Sequence, residues 1–111
     1  MRYVQPKRLS IAAANAALLS EDSSRIIEAI YSLSLYDSDD GQAESVCLAL
    51  LEHHDISVRR AAVQCLGHIA RLTRKLNLEQ VLPMLSSLSG NDQLSGQVAD
   101  ALDDLQMYLD R

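Results

Sequence analysis

Val46-Cys47-Leu48-Ala49-Leu50-Leu51, then His53-His54-Asp55, then Ile56-Ser57-Val58-Arg59-Arg60-Ala61-Ala62-Val63-Gln64-Cys65-Leu66-Gly67-His68-Ile69 is the stretch that decides the fold. Two apolar runs flank a short polar break. In the second run Val58, Ala61, Ala62, Cys65, Leu66, Ile69 and Leu72 recur at helical spacing, which places them on one face of a helix. In the first run Val46, Cys47, Ala49, Leu50 and Leu51 point inward in the same way. Asp55 stands where a helix begins, and its side chain suits the free N–H groups of a first turn. The stretch therefore predicts a helix over about 42–52, a tight turn, and a helix over about 57–75. Arg71, Arg74 and Lys75 in the last turns suit the negative end of that helix.

The same grammar runs outward in both directions. A helix is expected over about 6–19, with Pro6 in its first turn, where a missing N–H costs nothing. The run Ser20-Glu21-Asp22-Ser23 breaks it and caps a helix over about 24–36, whose stripe is Ile26, Ile27, Ala29, Ile30 and Leu33. Asp37-Ser38-Asp39-Asp40-Gly41 is a turn. On the C-terminal side Asn77 and Gln80 resemble a capping box opening a helix to about 88, with Pro83 placed to kink it. After Ser89-Gly90-Asn91-Asp92 a last helix covers about 93–109, with Leu94, Val98, Ala101, Leu102, Leu105 and Leu109 inward.

The chain has 111 residues, 48% hydrophobic and 23% charged, a balance that builds a packed core and fits a single domain. Phe and Trp are absent, so the core is made of Leu, Ile, Val and Ala. The net charge of -5 disfavours direct contact with nucleic acid and favours a basic protein partner, although mild acidity also serves solubility alone. The only cysteines, Cys47 and Cys65, fall at apolar helical positions, which suits core packing and neither a disulfide framework nor a zinc site. Arg2, Lys7 and Arg8 before the apolar run 9–19 superficially resemble a signal peptide, but Ser10 and Asn15 interrupt the run. It is also too short to span a membrane, so a cytoplasmic location is expected.

The helices repeat in pairs. Asp22, Ala29 and Leu33 precede Asp55, Ala62 and Leu66 by 33 residues; Leu94, Val98 and Leu102 follow Val58, Ala62 and Leu66 by 36; Leu85 and Leu88 follow Leu48 and Leu51 by 37. A period of this length means helix pairs that bury their faces only by stacking on neighbours. The segment 46–69, with Asp55-x-x-Val58-Arg59-x-x-Ala62 and Cys65-Leu66-Gly67, resembles a HEAT repeat, particularly the short form of phycobilisome-lyase-like proteins. Val81-Leu82-Pro83-Met84-Leu85 is similar to the proline-bearing first helix of a HEAT unit. The match thins at the ends, where Gly96 replaces the counterpart of Arg60 and Asn15 that of Leu48. The resemblance implies an all-α right-handed α-solenoid of three helix pairs, about 6–36, 42–75 and 78–109, and a protein-binding role.

In HEAT solenoids the second helix of each pair lines the concave surface. The residues off the core stripe of those helices are Tyr31 and Leu35, then Arg60, Gln64, His68 and Arg71, then Asp100, Asp104 and Tyr108. Together they are the expected partner-binding surface, although each taken alone also reads as ordinary solvated helix. Tyr31 and Leu35 carry the case, since both are expected to be exposed. Acidic residues gather at Asp37, Asp39, Asp40 and Glu44, where turn and cap chemistry explains much of the charge, and at Asp100, Asp103, Asp104 and Asp110, where the last helix has no opposing cation before Arg111.

Catalytic patterns are missing. His53-His54-Asp55 is the densest polar cluster, but adjacent His residues on a helix diverge by about 100° and rarely share a metal, so a turn-and-cap role is expected. There is no nucleophile-base arrangement, P-loop or dinucleotide turn. Neither enzyme activity, metal nor cofactor is expected. Small acidic helical proteins of this kind resemble bacterial immunity proteins, which neutralise a toxin, often a basic nuclease, by direct binding. The chain is therefore read as such an inhibitor, a monomer when free. The alternatives are an adaptor or assembly factor of a larger complex and, last, an enzyme or chromophore-lyase partner, which only the repeat subtype suggests.

Overall fold

The computed structural model describes residues 8–37 and 41–109, and within them it is all α. Six helices follow in order: α1 (Ile11–Leu19), α2 (Ser23–Tyr36), α3 (Gln42–Leu50), α4 (Ile56–Thr73), α5 (Leu78–Leu88) and α6 (Ser95–Tyr108). Each starts close to where the sequence expects it except α1. There Ser10 is the cap, its Oγ accepting the Ala13 N–H at 3.0 Å, so helix begins only after it. Pro6, the expected first-turn residue, lies outside the described residues.

Asp22 and Asp55 cap α2 and α4 as expected, accepting the Ser24 and Ser57 N–H groups at 2.9 and 2.8 Å. Asp55 also accepts the Ser23 hydroxyl at 2.6 Å, which ties the start of α2 to the start of α4. The expected capping box at α5 does not form: Asn77 makes no side-chain cap bond. Its N–H instead donates to Glu44 Oε2 at 2.8 Å, so an acid from α3 does what the in-helix Gln80 was expected to do. α5 then runs unbroken through Pro83. α4 stops at Arg74, which turns into the left-handed region with φ 56° and closes the last turn through its N–H to Ala70 O at 2.9 Å.

Helices α2, α4 and α6 lie side by side, α2 against α4 and α4 against α6, while α1, α3 and α5 pack on their partners. This ranked arrangement is that of an α-solenoid. The sequence period returns as contact: Tyr31 meets Gln64, Glu44 meets Asn77 and Arg60 meets Gln93, each pair 33 residues apart. With only a few ranks stacked, the radius of gyration is 13.2 Å, that of a compact chain of this length.

α4 is central. It touches α2, α3 and α6, and Val58, Ala61, Ala62, Val63, Cys65, Leu66, Ile69 and Ala70 are all buried on it. That is wider than the one-sided stripe expected, because neighbours cover it on three sides. Two inward assignments fail. Ala49 is exposed, and Ala43, one turn from Cys47, is buried. Leu72 is 56% exposed, because it lies in the final turn of α4. The buried hydroxyl of Ser32 is satisfied by the Leu9 N–H at 2.8 Å.

The Asp55 contacts carry a pH signature. The Ser23 hydroxyl first, then the Ser57 N–H, hold its carboxyl below the ordinary 3.8. A carboxylate lowered on folding stabilises the fold above its unfolded-state value and loses that contribution as the pH falls through the folded one. Asp55→Ala is expected to be less stable than the parent at neutral pH, and the gap should narrow on acidification below about pH 4. Denaturant titrations across pH check this; a gap that stays constant would show that the charge contributes nothing.

Candidate functional site

The sequence places nine residues on one surface, and the structure sorts them into groups. A groove of about 430 Å³ runs between α4 and α6. Gln64, His68 and Arg71 from α4 and Asp100 and Asp104 from α6 all line it, together with Gln97, Ala101 and Asp103. Helical period explains the convergence: Gln64, His68 and Arg71 recur at intervals of four and three, as do Gln97, Asp100 and Asp104. Gln97 and Asp103 were absent from the expected surface. Gln97 was legible in principle, since it lies one turn before Asp100.

Gly67 sets how closely the two walls approach. A Cβ there would lie 2.7 Å from Asp104 Oδ2, so the carboxylate rests on bare backbone of α4. Arg71 Nε lies 3.9 Å from the same oxygen, with Asp104 30% exposed and Arg71 45%. α6 itself supplies no Lys or Arg, as its sequence shows, and the cation facing its acids comes from α4. At that distance it is a loose ion pair, not a hydrogen bond.

Tyr31 joins the same wall from α2. Its hydroxyl donates to Gln64 Oε1, and its ring centroid is 6.0 Å from that of His68. Burial first, and the nearby Cys65 second, push the phenol above its ordinary value, which keeps it a donor. Tyr31 and Leu35 are half-buried, so the reasoning that both are exposed for want of another role does not hold. The large apolar side chains left exposed on the row of second helices are Leu72 and Met107. Arg60 is half-buried, with Nη2 3.5 Å from the Gln93 carbonyl, at the turn before α6.

Tyr108 is not brought to the groove. It lines a separate depression of about 700 Å³ with Glu44, Arg74, Lys75, Asn77 and Met107, and the Arg74 guanidinium lies 5.8 Å from its ring centroid. As the last residue of α6 it extends beyond Thr73, the end of α4, and meets the α4–α5 connection.

The acidic residues near the first turn are engaged where they are described. Asp37 pairs with Arg8 at 3.0 Å, and Glu44 takes the Asn77 N–H. Asp39, Asp40, Asp110 and Arg111 lie outside the described residues. His53 and His54 stack with centroids 4.3 Å apart instead of diverging, because they occupy the turn and not a helix. His53 Nδ1 accepts the Asp55 N–H at 3.0 Å, a turn role. Among the described residues no three His, Cys, Asp or Glu side chains gather as a metal would need, and no helix is long and apolar enough to cross a membrane.

Behind the groove the two thiols are fully buried, with Ser34 Oγ 3.8 Å from Cys47 Sγ. Burial holds Cys47 well above its ordinary value. Burial pushes Cys65 the same way, but hydrogen bonding with Cys47, His68 and Ser34 outweighs it and lowers Cys65 below its ordinary value. Access, not acidity, governs their reactivity here. Neither thiol should react with a water-soluble disulfide reagent in the native protein, and both should react once it is unfolded; fast native labelling would mean that α3 opens from α4.

Residues 45–72 match the HEAT repeat family model, covering α4 and most of α3. No curated protein matches the sequence. Among solved structures, a chain in the "Crystal structure of CDI complex from Cupriavidus taiwanensis LMG 19424" is similar at 31% identity and a TM-score of 0.86, over 97% of each chain. At that identity over nearly the whole of both chains, the protein belongs to the same family as that CDI-complex chain.

Proposed function

We propose that this chain is an immunity protein that neutralises a cognate bacterial toxin by binding it directly. The observation that carries the reading is the whole-chain likeness, at 31% identity, to a chain of a CDI complex, an assembly of contact-dependent inhibition in which toxin meets immunity protein. The groove between α4 and α6 supports it, with three carboxylates, Asp100, Asp103 and Asp104, against the single guanidinium of Arg71. Such a surface suits a basic toxin domain, and nucleases are commonly basic because their substrate is a polyanion. In this reading the stacked helix pairs act as one rigid unit in the cytoplasm, monomeric until the toxin arrives. The chain supplies shape and charge and no chemistry.

The test is co-expression with the toxin domain encoded beside it. Rescue of growth, an equimolar complex on gel filtration and loss of the toxin's nuclease activity on complex formation are expected. Failure to bind that domain, with capture of housekeeping subunits in its place, would overturn the immunity reading in favour of an adaptor.

A further inference from the structure

Independently of the immunity reading, we propose that Cys47 and Cys65 are a redox-active thiol pair, which a hydroperoxide closes into a disulfide between α3 and α4, with Cys65 oxidised first.

The cluster is built around two thiols and treats them differently. Cys47 and Cys65 stand on the two helices of one packed pair, both wholly buried, and hydrogen-bond to each other. Ser34 reaches both from α2, with its Oγ 3.8 Å from Cys47 Sγ. Cysteines whose side chains diverge cannot be bridged without moving backbone, so sulfurs already in contact are the geometry from which a disulfide starts. Burial keeps Cys47 protonated. Cys65 has a base beside it as well: His68, three residues further along α4. His68 Nδ1 is sealed from water and is bonded by no nitrogen or oxygen donor among the described residues. The Cys65 thiol is the proton donor within its reach. A thiolate beside an imidazole, next to a second thiol, is the arrangement of an attacking and a resolving cysteine.

The chemistry balances with one molecule of hydrogen peroxide. Cys65 passes its proton to His68, and the thiolate attacks a peroxide oxygen. An S–O bond forms, the O–O bond breaks, and the departing hydroxide recovers the proton as water. The Cys47 sulfur then attacks the Cys65 sulfenic acid. The S–S bond forms, the S–O bond breaks, and the hydroxyl leaves with the Cys47 proton as a second water. Two thiols lose two electrons and one peroxide gains them. Burial selects the oxidant: peroxide is uncharged and little larger than water, so a transient gap admits it, whereas a disulfide reagent needs α3 to leave α4. Closure also withdraws Cys65 from His68, whose ring lines the α4–α6 groove.

The test treats the native chain with hydrogen peroxide at neutral pH and follows it by mass spectrometry. Exposed Met107 is the internal control, since its oxidation shows that peroxide was delivered. The expected product is a monomer lighter by two hydrogen atoms, with the Cys47 and Cys65 peptides joined and separated again by dithiothreitol. The His68 ring resonances should shift on closure. In Cys47→Ser the reaction should stop at a sulfenic acid on Cys65, captured by dimedone. In Cys65→Ser the oxidation of Cys47 should be at least tenfold slower. His68→Gln should slow closure severalfold and move its pH dependence upward, which a purely structural histidine would not do. Melting curves on each variant show that it is folded. Two free thiols in a native chain whose Met107 is fully oxidised would overturn the proposal, as would a sulfenic acid on Cys47 in Cys65→Ser formed as fast as the parent's disulfide.

Discussion

Leu66→Ala is expected to remove about 2–5 kcal/mol of stability, the cost of deleting a large buried side chain whose neighbours cannot close the gap. Leu66 is fully buried in the middle of α4, the helix that touches α2, α3 and α6. Its cavity would therefore open where several ranks of the stack meet. For a chain of this size the loss is a large share of a total on the order of 5–15 kcal/mol. The melting temperature should fall by roughly 10–25 °C. Leu72→Ala is the internal control. It makes the same chemical change six residues further along the same helix, where the side chain is 56% exposed, and it should change stability by no more than about 0.5 kcal/mol. Calorimetry on the two variants decides the matter: equal losses would mean that α4 does not hold the centre of the stack.

Reversing both Asp100 and Asp104 to Lys should nearly abolish binding to a basic toxin domain. Loss of closely paired charges at an interface costs about 2–5 kcal/mol, or roughly 30-fold to over 1,000-fold in affinity, before the new repulsion is added. Part of the effect should appear as slower association that depends on salt, because the charges also steer the encounter. The fold should survive, since Asp100 is exposed and Asp104 caps no helix. Binding kinetics at two ionic strengths, beside a melting curve, separate the two effects. Unchanged affinity in a folded variant would move the interface off the α4–α6 groove.

Much of the architecture was legible because helices announce themselves locally. The apolar stripes of α2, α4 and α6, the caps at Asp22 and Asp55, and the 33-residue offset from Ala29 and Leu33 to Ala62 and Leu66 are all visible in a single sequence. The errors cluster at helix ends. Periodicity gives the angle of Leu72, Asn77 and Tyr108 around an axis, but not whether a neighbour still lies alongside at that height. Leu72 is exposed, Asn77 is served by Glu44 and Tyr108 faces another depression for this one reason.

By itself the sequence determined that the chain forms stacked helix pairs, because its apolar residues recur with the helical period and its polar breaks recur at about one repeat length. It also determined the acidity of α6, since Asp100, Asp103 and Asp104 have no basic residue within the helix. Only the tertiary structure decided that Asp104 sits on Gly67 and faces Arg71, residues 37 and 33 positions earlier in the chain. A charge's meaning depends on what lies across from it, and that is set by the packing distance between two helices, which no local pattern encodes.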